Sequence, residues 1–167
     1  SETLLWQGRA TPMQVEGPKQ VIALAAGARP LVMGKDGTLW GWGWNDEGTL
    51  GTGTDSRDTP VRVQGLTNIV TVSAAPRRAM TLREDGTVWG WGDNRLQEVS
   101  PDAPSLRATP IQVLGLPKVV ALATGADHTL ALSEDGTLWG WGDNTNGQRG
   151  PDLPTDRPVQ VPDFSGV

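Results

Sequence analysis

Few side chains in this 167-residue sequence could do chemistry, and their spacing argues for turns rather than catalysis. His128 is the only histidine and there is no cysteine, so a nucleophilic triad would have to gather a serine and carboxylates around that single imidazole. Zero cysteines also exclude a disulfide scaffold and any thiolate metal site. Asp36, Asp85 and Asp135 could suggest paired carboxylates, but each is followed by glycine, and Asp-Gly is the preferred content of a tight hairpin turn. Asn45-Asp46-Glu47-Gly48 and Asp143-Asn144-Thr145-Asn146-Gly147 are oxygen-rich, yet neither has the ligand spacing of a calcium loop. The Gly-x-Gly pairs alternate with tryptophan inside short strands instead of opening a helix, so no phosphate loop is present. The expectation is a chain with no catalytic residues, no metal site and no cofactor.

The elements that carry these residues repeat. Asp36-Gly37-Thr38-Leu39-Trp40-Gly41-Trp42 returns as Asp85-Gly86-Thr87-Val88-Trp89-Gly90-Trp91 and as Asp135-Gly136-Thr137-Leu138-Trp139-Gly140-Trp141. The first tryptophan recurs after 89 − 40 = 49 and 139 − 89 = 50 residues. A period of roughly 50 residues with several short strands per unit marks a propeller-type array. Each unit opens on Thr-Pro (Thr11-Pro12, Thr59-Pro60, Thr109-Pro110), which divides the chain into 1–10 as the tail of a partial repeat, then 11–58, 59–108 and 109–156. Residues 157–167, beginning Arg157-Pro158-Val159-Gln160-Val161, read as the start of a further repeat. Trp6 stands for a motif tryptophan in the first fragment, so the chain enters in mid-unit.

Each unit reads as four strands. Alternating Pro12 to Val15, Pro60 to Val63 or Pro110 to Val113 comes first. Apolar runs from Val21, Ile69 and Val119 follow as interior strands. A hairpin around Asp-Gly completes the unit. Residues i and i+2 share a face of a strand, so Trp139 and Trp141 point one way and Gly140 and Gly142 the other. Bulk on one face and bare backbone on the other would let such units stack, with Trp40, Trp42, Trp89, Trp91, Trp139 and Trp141 as the core between them. A buried indole N–H needs an acceptor, which polar loops could supply.

Taken together the units resemble the regulator-of-chromosome-condensation repeat family, best over Val119 to Gln148 with its Gly125-Ala126-Asp127-His128 and Trp139-Gly140-Trp141-Gly142 segments. The resemblance covers nearly the whole chain. It implies an all-β propeller of four-stranded antiparallel blades, here three blades plus partial blades, incomplete as a single ring. Members usually serve as interaction platforms; some promote nucleotide exchange on small GTPases, a plant branch senses UV-B, and a bacterial relative inhibits β-lactamases. Ala126 stands where the photoreceptor branch carries a chromophore tryptophan, and no inserted wedge of the exchange-factor kind is visible. The family's Gly-x-x-His segment becomes Gly27-Ala28-Arg29-Pro30 and Ala75-Pro76-Arg77-Arg78 in the first two units.

Function is therefore expected at the loops, where the units differ most and where a rigid scaffold presents binding residues. Trp44 breaks an Asp-Asn register kept in the other copies, while Arg77, Arg78 and the stretch from Arg95 to Arg107 also depart from the repeat. Tryptophan and arginine are the residues enriched in interface hot spots. The expected partner is a protein or further copies of the same chain, which would complete the blades. Trp44 is also the one platform on which a glycan could stack, and regulation of a GTPase or enzyme is a third class. A net charge of −5 and a pI near 4.8 argue against nucleic acid, and no apolar run approaches the roughly 20 residues of a spanning helix. The start at Ser1 reads as processing, which favours a secreted or cell-surface protein.

Overall fold

The computed structural model describes residues 17–27, 29–53, 55–95, 99, 105–147, 149–150 and 157–162. Three antiparallel sheets account for all the strands among them. The first runs β1 (Val21–Ala26), β2 (Pro30–Gly34), β3 (Leu39–Gly43) and β4 (Arg57–Arg62). The second runs β5 (Ile69–Ala74), β6 (Arg78–Arg83), β7 (Val88–Asp93) and β8 (Leu106–Gln112), and the third β9 (Val119–Thr124), β10 (His128–Ser133), β11 (Leu138–Gly142) and β12 (Val159–Gln160). Strands pair in chain order in every sheet, and the sheets pack with β1 against β5 and β5 against β9. They are three blades of a propeller that do not close a ring. No helix long and apolar enough to cross a membrane occurs among the described residues.

Strand grouping corrects one expectation from the sequence. The Pro60 strand does not open the second blade: Trp40 pairs with Arg62 and Gly41 with Val61, so β4 is the outer strand of the first. Likewise Gly90 pairs with Ile111, and Gly140 with Val159, so β12 completes the third blade instead of starting a fourth. The sequence boundaries at 59 and 109 thus fall within outer strands, and that at 157 falls two residues before one. A strand leaving the tryptophan strand finds its nearest unpaired backbone edge there, which fixes the pairing. The first fragment, 1–10, and the Pro12 strand lie outside the described residues.

Each Asp-Gly hairpin is a three-residue loop with a glycine bulge. Gly37, Gly86 and Gly136 take φ of +71°, +83° and +84°. Their N–H groups donate to the carbonyls of Gly34, Arg83 and Ser133 at 3.0, 2.9 and 3.0 Å. A side-chain relay is built on that turn. The N–H of Thr38 donates to the Asp36 carboxylate at 3.1 Å and its hydroxyl at 2.6 Å, while the Trp40 indole N–H donates to the Thr38 hydroxyl at 2.9 Å. Asp85–Thr87–Trp89 and Asp135–Thr137–Trp139 repeat it. The motif Asp-Gly-Thr-x-Trp therefore supplies its own acceptor for the first indole.

The second indole of the middle blade finds its acceptor in the preceding blade. Trp91 is fully buried among Leu31, Met33, Leu39 and Val63 of the first blade, and its N–H donates to the Thr49 carbonyl at 2.8 Å. Trp141 is buried in the same way against Met80, Leu82 and Val88 of the second. Trp89 and Trp139 are half-buried and pack on the edges of these two cores. The glycine face is not hollow as expected. Leu31 and Leu50 cover Gly41, and Met80 and Val99 cover Gly90, so each blade fills its own recess before its neighbour arrives.

Candidate functional site

The connections β1–β2 and β3–β4, with their counterparts in the other blades, emerge at one end of the stack. The third-to-fourth-strand loops are held by an asparagine in the same place each time. Asn45, Asn94 and Asn144 accept from the N–H of Leu50, Val99 and Arg149 at 2.8, 2.8 and 3.0 Å. The asparagines of the oxygen-rich loops are thus committed to internal work. Among the described residues no group of three or more His, Asp or Glu could hold a metal ion.

Just before each asparagine the blades diverge. Asp143 accepts from the Thr145 N–H at 3.0 Å, and Asp93 from the Arg95 N–H at 3.1 Å, so both aspartates fasten the start of their loop. The first blade has Trp44 in that place. With no carboxylate to turn inward, its side chain stands out, 66% exposed. Its carbonyl is held by the Arg29 guanidinium, which also pairs with Asp46 at 3.5 Å.

Beside Trp44 lies an ionic cluster that joins the first two blades. Arg77 reaches Glu47 at 3.6 Å and Asp93 at 3.8 Å, and Asp93 is also gripped by the Arg95 guanidinium. Burial pushes the Asp93 carboxyl up, but the hydrogen bonds from Arg95 and the charges of Arg95 and Arg77 outweigh it and hold the group below the usual carboxylate range. Asp46, Glu47, Asp93, Arg95, Ser105 and Leu106 line a recess of about 280 Å³. A second cleft, of about 570 Å³, lies on the outer rim between β4 and β8, where none of the candidate residues contributes to the lining.

The structure thus brings Trp44, Arg77 and Arg95 to one end of the stack. Arg107 sits half-buried on β8 opposite Gly92 and takes no part in the described ion pairs. Arg78 is a different matter and must be withdrawn as a partner-binding residue. It is 1% exposed, and its guanidinium donates to the carbonyls of Ala126 at 2.7 Å, His128 at 2.9 Å and Gly125 at 3.3 Å. Arg77 lies in the bend just before β6 and pairs with Glu47 and Asp93, while Arg78, the first residue of the strand, turns into the joint between the second and third blades. Most of the stretch between Arg95 and Arg107 lies outside the described residues. Reading the sequence for single anchors passed over Asp46, Glu47 and Asp93 as ion-pair partners, because each pairs with an arginine remote from it in sequence.

Comparison with known proteins agrees with this architecture. Models of the family described as Regulator of chromosome condensation (RCC1) repeat match residues 36–81, 85–132 and 119–148. Human protein RCC2 is 38% identical over 58 residues, which is 34% of this chain and 11% of that protein. Human WBSCR16 superposes with a TM-score of 0.79 at 22% identity, over 91% of this chain and 40% of that one. Prp20p of Saccharomyces cerevisiae gives 0.77 at 22% identity, over 88% of this chain and 39% of that one. The chain spans about two fifths of these solved structures and about a ninth of the curated relative. With its repeat models covering more than half of the sequence and its sheets arranged as theirs are, the chain belongs to the regulator-of-chromosome-condensation repeat family.

Proposed function

We propose that this chain is a non-enzymatic propeller module that binds a protein partner at the end carrying Trp44, Arg77 and Arg95. One observation carries the reading: the first blade presents an exposed tryptophan where the other two spend an aspartate on fastening their loop. An exposed apolar anchor on the same loop as Asp46 and Glu47, which pair with Arg29 and Arg77, has the composition of an interface hot spot with a polar rim. The repeat family supports an interaction role. Prp20p is described with its binding properties to Gsp1p and histones, and yeast RCC1 (Prp20) has been crystallised with Kap60.

The test is site-directed photo-crosslinking in the source cells, with a crosslinking residue at position 44 and a control at Leu114, which is also exposed. A discrete polypeptide captured at 44 and lost in Arg77→Glu supports the site. Equal capture at 44 and 114 overturns it. The same exposed indole favours a second reading, a glycan platform. Saturable quenching of tryptophan fluorescence by oligosaccharides, abolished in Trp44→Ala, would transfer the site to that class. Regulation of a GTPase rests on family likeness and is checked by nucleotide-release assays with candidate GTPases.

A further inference from the structure

The two interfaces inside the chain are built from one pair of surfaces, and a further copy of each, against which no described blade stands, lies at either side of the stack. Every blade has a tryptophan face and an aliphatic face. The aliphatic row Leu31, Met33 and Leu39 of the first blade receives Trp91, and Met80, Leu82 and Val88 of the second receive Trp141. The same row in the third blade is Leu130, Leu132 and Leu138, by the strand register that pairs Leu130 with Gly140 and Leu132 with Leu138. It meets no described blade. Leu132 is 40% exposed where Leu82 is 2%.

At the other side, Leu24, Val32 and Trp40 form one cross-strand row of the first blade, equivalent to the row Val72, Thr81 and Trp89 of the second. Val72 and Trp89 pack on the core between blades, whereas Leu24 is 75% exposed and Trp42, the counterpart of Trp91, is only half-buried. Trp91 also donates to a backbone carbonyl in the Gly48-Thr49-Leu50-Gly51 turn, a bond internal to the joint between the first two blades.

We infer that the tryptophan face of the first blade in one copy docks on the aliphatic face of the third blade in a second copy, head to tail. Each copy then offers one donor face and one acceptor face, an arrangement that closes into a ring or continues as a filament depending on the rotation per copy. The joint would bury the same residue classes as the two internal joints. Its residues lie apart from the Trp44 cluster, so the two proposals fail or stand separately.

The experiment is light scattering across a concentration series on the full 167-residue chain, on Leu24→Glu, on Leu132→Glu, and on an equimolar mixture of the two. Wild type should assemble, with each variant alone weakened by about tenfold or more because every joint then buries a carboxylate. The mixture should recover a two-chain species of twice 17.7 kDa, because Leu132→Glu keeps its tryptophan face and Leu24→Glu its aliphatic face. Both positions are already exposed in the single chain, and Leu24→Thr with Leu132→Thr repeats the mixing should a glutamate prevent folding. A wild type that stays monomeric, a single variant that assembles as wild type does, or a mixture that stays monomeric overturns the inference.

Discussion

Trp42 and Trp91 sit at the same place in the same motif, yet one is half-buried and the other has no exposed surface. Their strands have the same pattern of tryptophan and glycine, and both blades have the Asp-Thr-Trp relay below them. What differs is the neighbour. Trp91 lies on a complete aliphatic row and donates to the Thr49 carbonyl, whereas no described blade stands against the outer face of the first sheet. Burial in this fold is thus a property of the joint between blades. The motif prepares a surface, and the adjacent blade turns it into core.

The comparison is broken most forcefully by truncating each tryptophan in the Leu132→Glu background, where docking by copies is suppressed. Trp91→Ala should cost about 3–5 kcal/mol, the usual penalty for emptying a large buried aromatic site. It should also separate unfolding of the first blade from that of the second, because repeat stability is a sum of unit and interface contributions. Trp42→Ala should cost about 1 kcal/mol, in line with the much smaller apolar area it removes from water. Urea titration followed by circular dichroism measures both. Equal losses would mean that the motif itself, and not the joint, carries the stability.

Arg77 and Arg78 offer a second, smaller contrast between neighbours in sequence. Arg78→Met removes donors from three carbonyls at the joint of the second and third blades, and about 2–3 kcal/mol should be lost. Arg77→Met loosens exposed ion pairs to Glu47 and Asp93 and should cost under about 1 kcal/mol in the same denaturant assay. The difference should persist in 0.5 M salt for Arg78 and shrink for Arg77, because only exposed pairs are well screened.

That pair also marks the limit of what the sequence discloses. Period, strand number per blade and the facing of the tryptophans follow from spacing alone, since the period of two along a strand leaves no freedom. The phase of the blades did not follow. A Thr-Pro opening is a punctuation mark in the sequence, but pairing is decided by which sheet edge lies within reach, so the Pro60 and Pro110 strands join the sheet before them. Two arginines side by side read as a basic loop until the strand's start at Arg78 splits them between solvent and a blade joint. Trp44 was legible because a broken register at a loop has no packing role to explain it. Its acidic neighbours were not, because their pairing to Arg77 crosses from one blade to the next.

The joint between the second and third blades can be read at its most sensitive point through His128, the chain's single imidazole. Partial burial lowers its pKa first, the adjacent Arg78 charge lowers it further, and Asp127 and Asp143 oppose them. A lowered folded value means the unfolded chain binds the proton more readily. The His128 contribution is therefore present above the ordinary 6.5 and is lost as pH falls below it. A later loss comes from the hairpin turns. Hydrogen bonds from Ser133 and Thr137 hold the Asp135 carboxyl down at about 2 against an ordinary 3.8, so its contribution survives above about 4 and disappears between there and about 2. In Arg78→Met, the first loss should shrink as the imidazole titrates closer to 6.5, while the Asp135 step stays where it was. Two-dimensional NMR titration of the one histidine and of the Asp135 carboxyl separates the two. An unchanged His128 midpoint in Arg78→Met would show that the Arg78 guanidinium does not act on the imidazole across that joint, leaving burial and the smaller effect of the Arg149 charge to lower it.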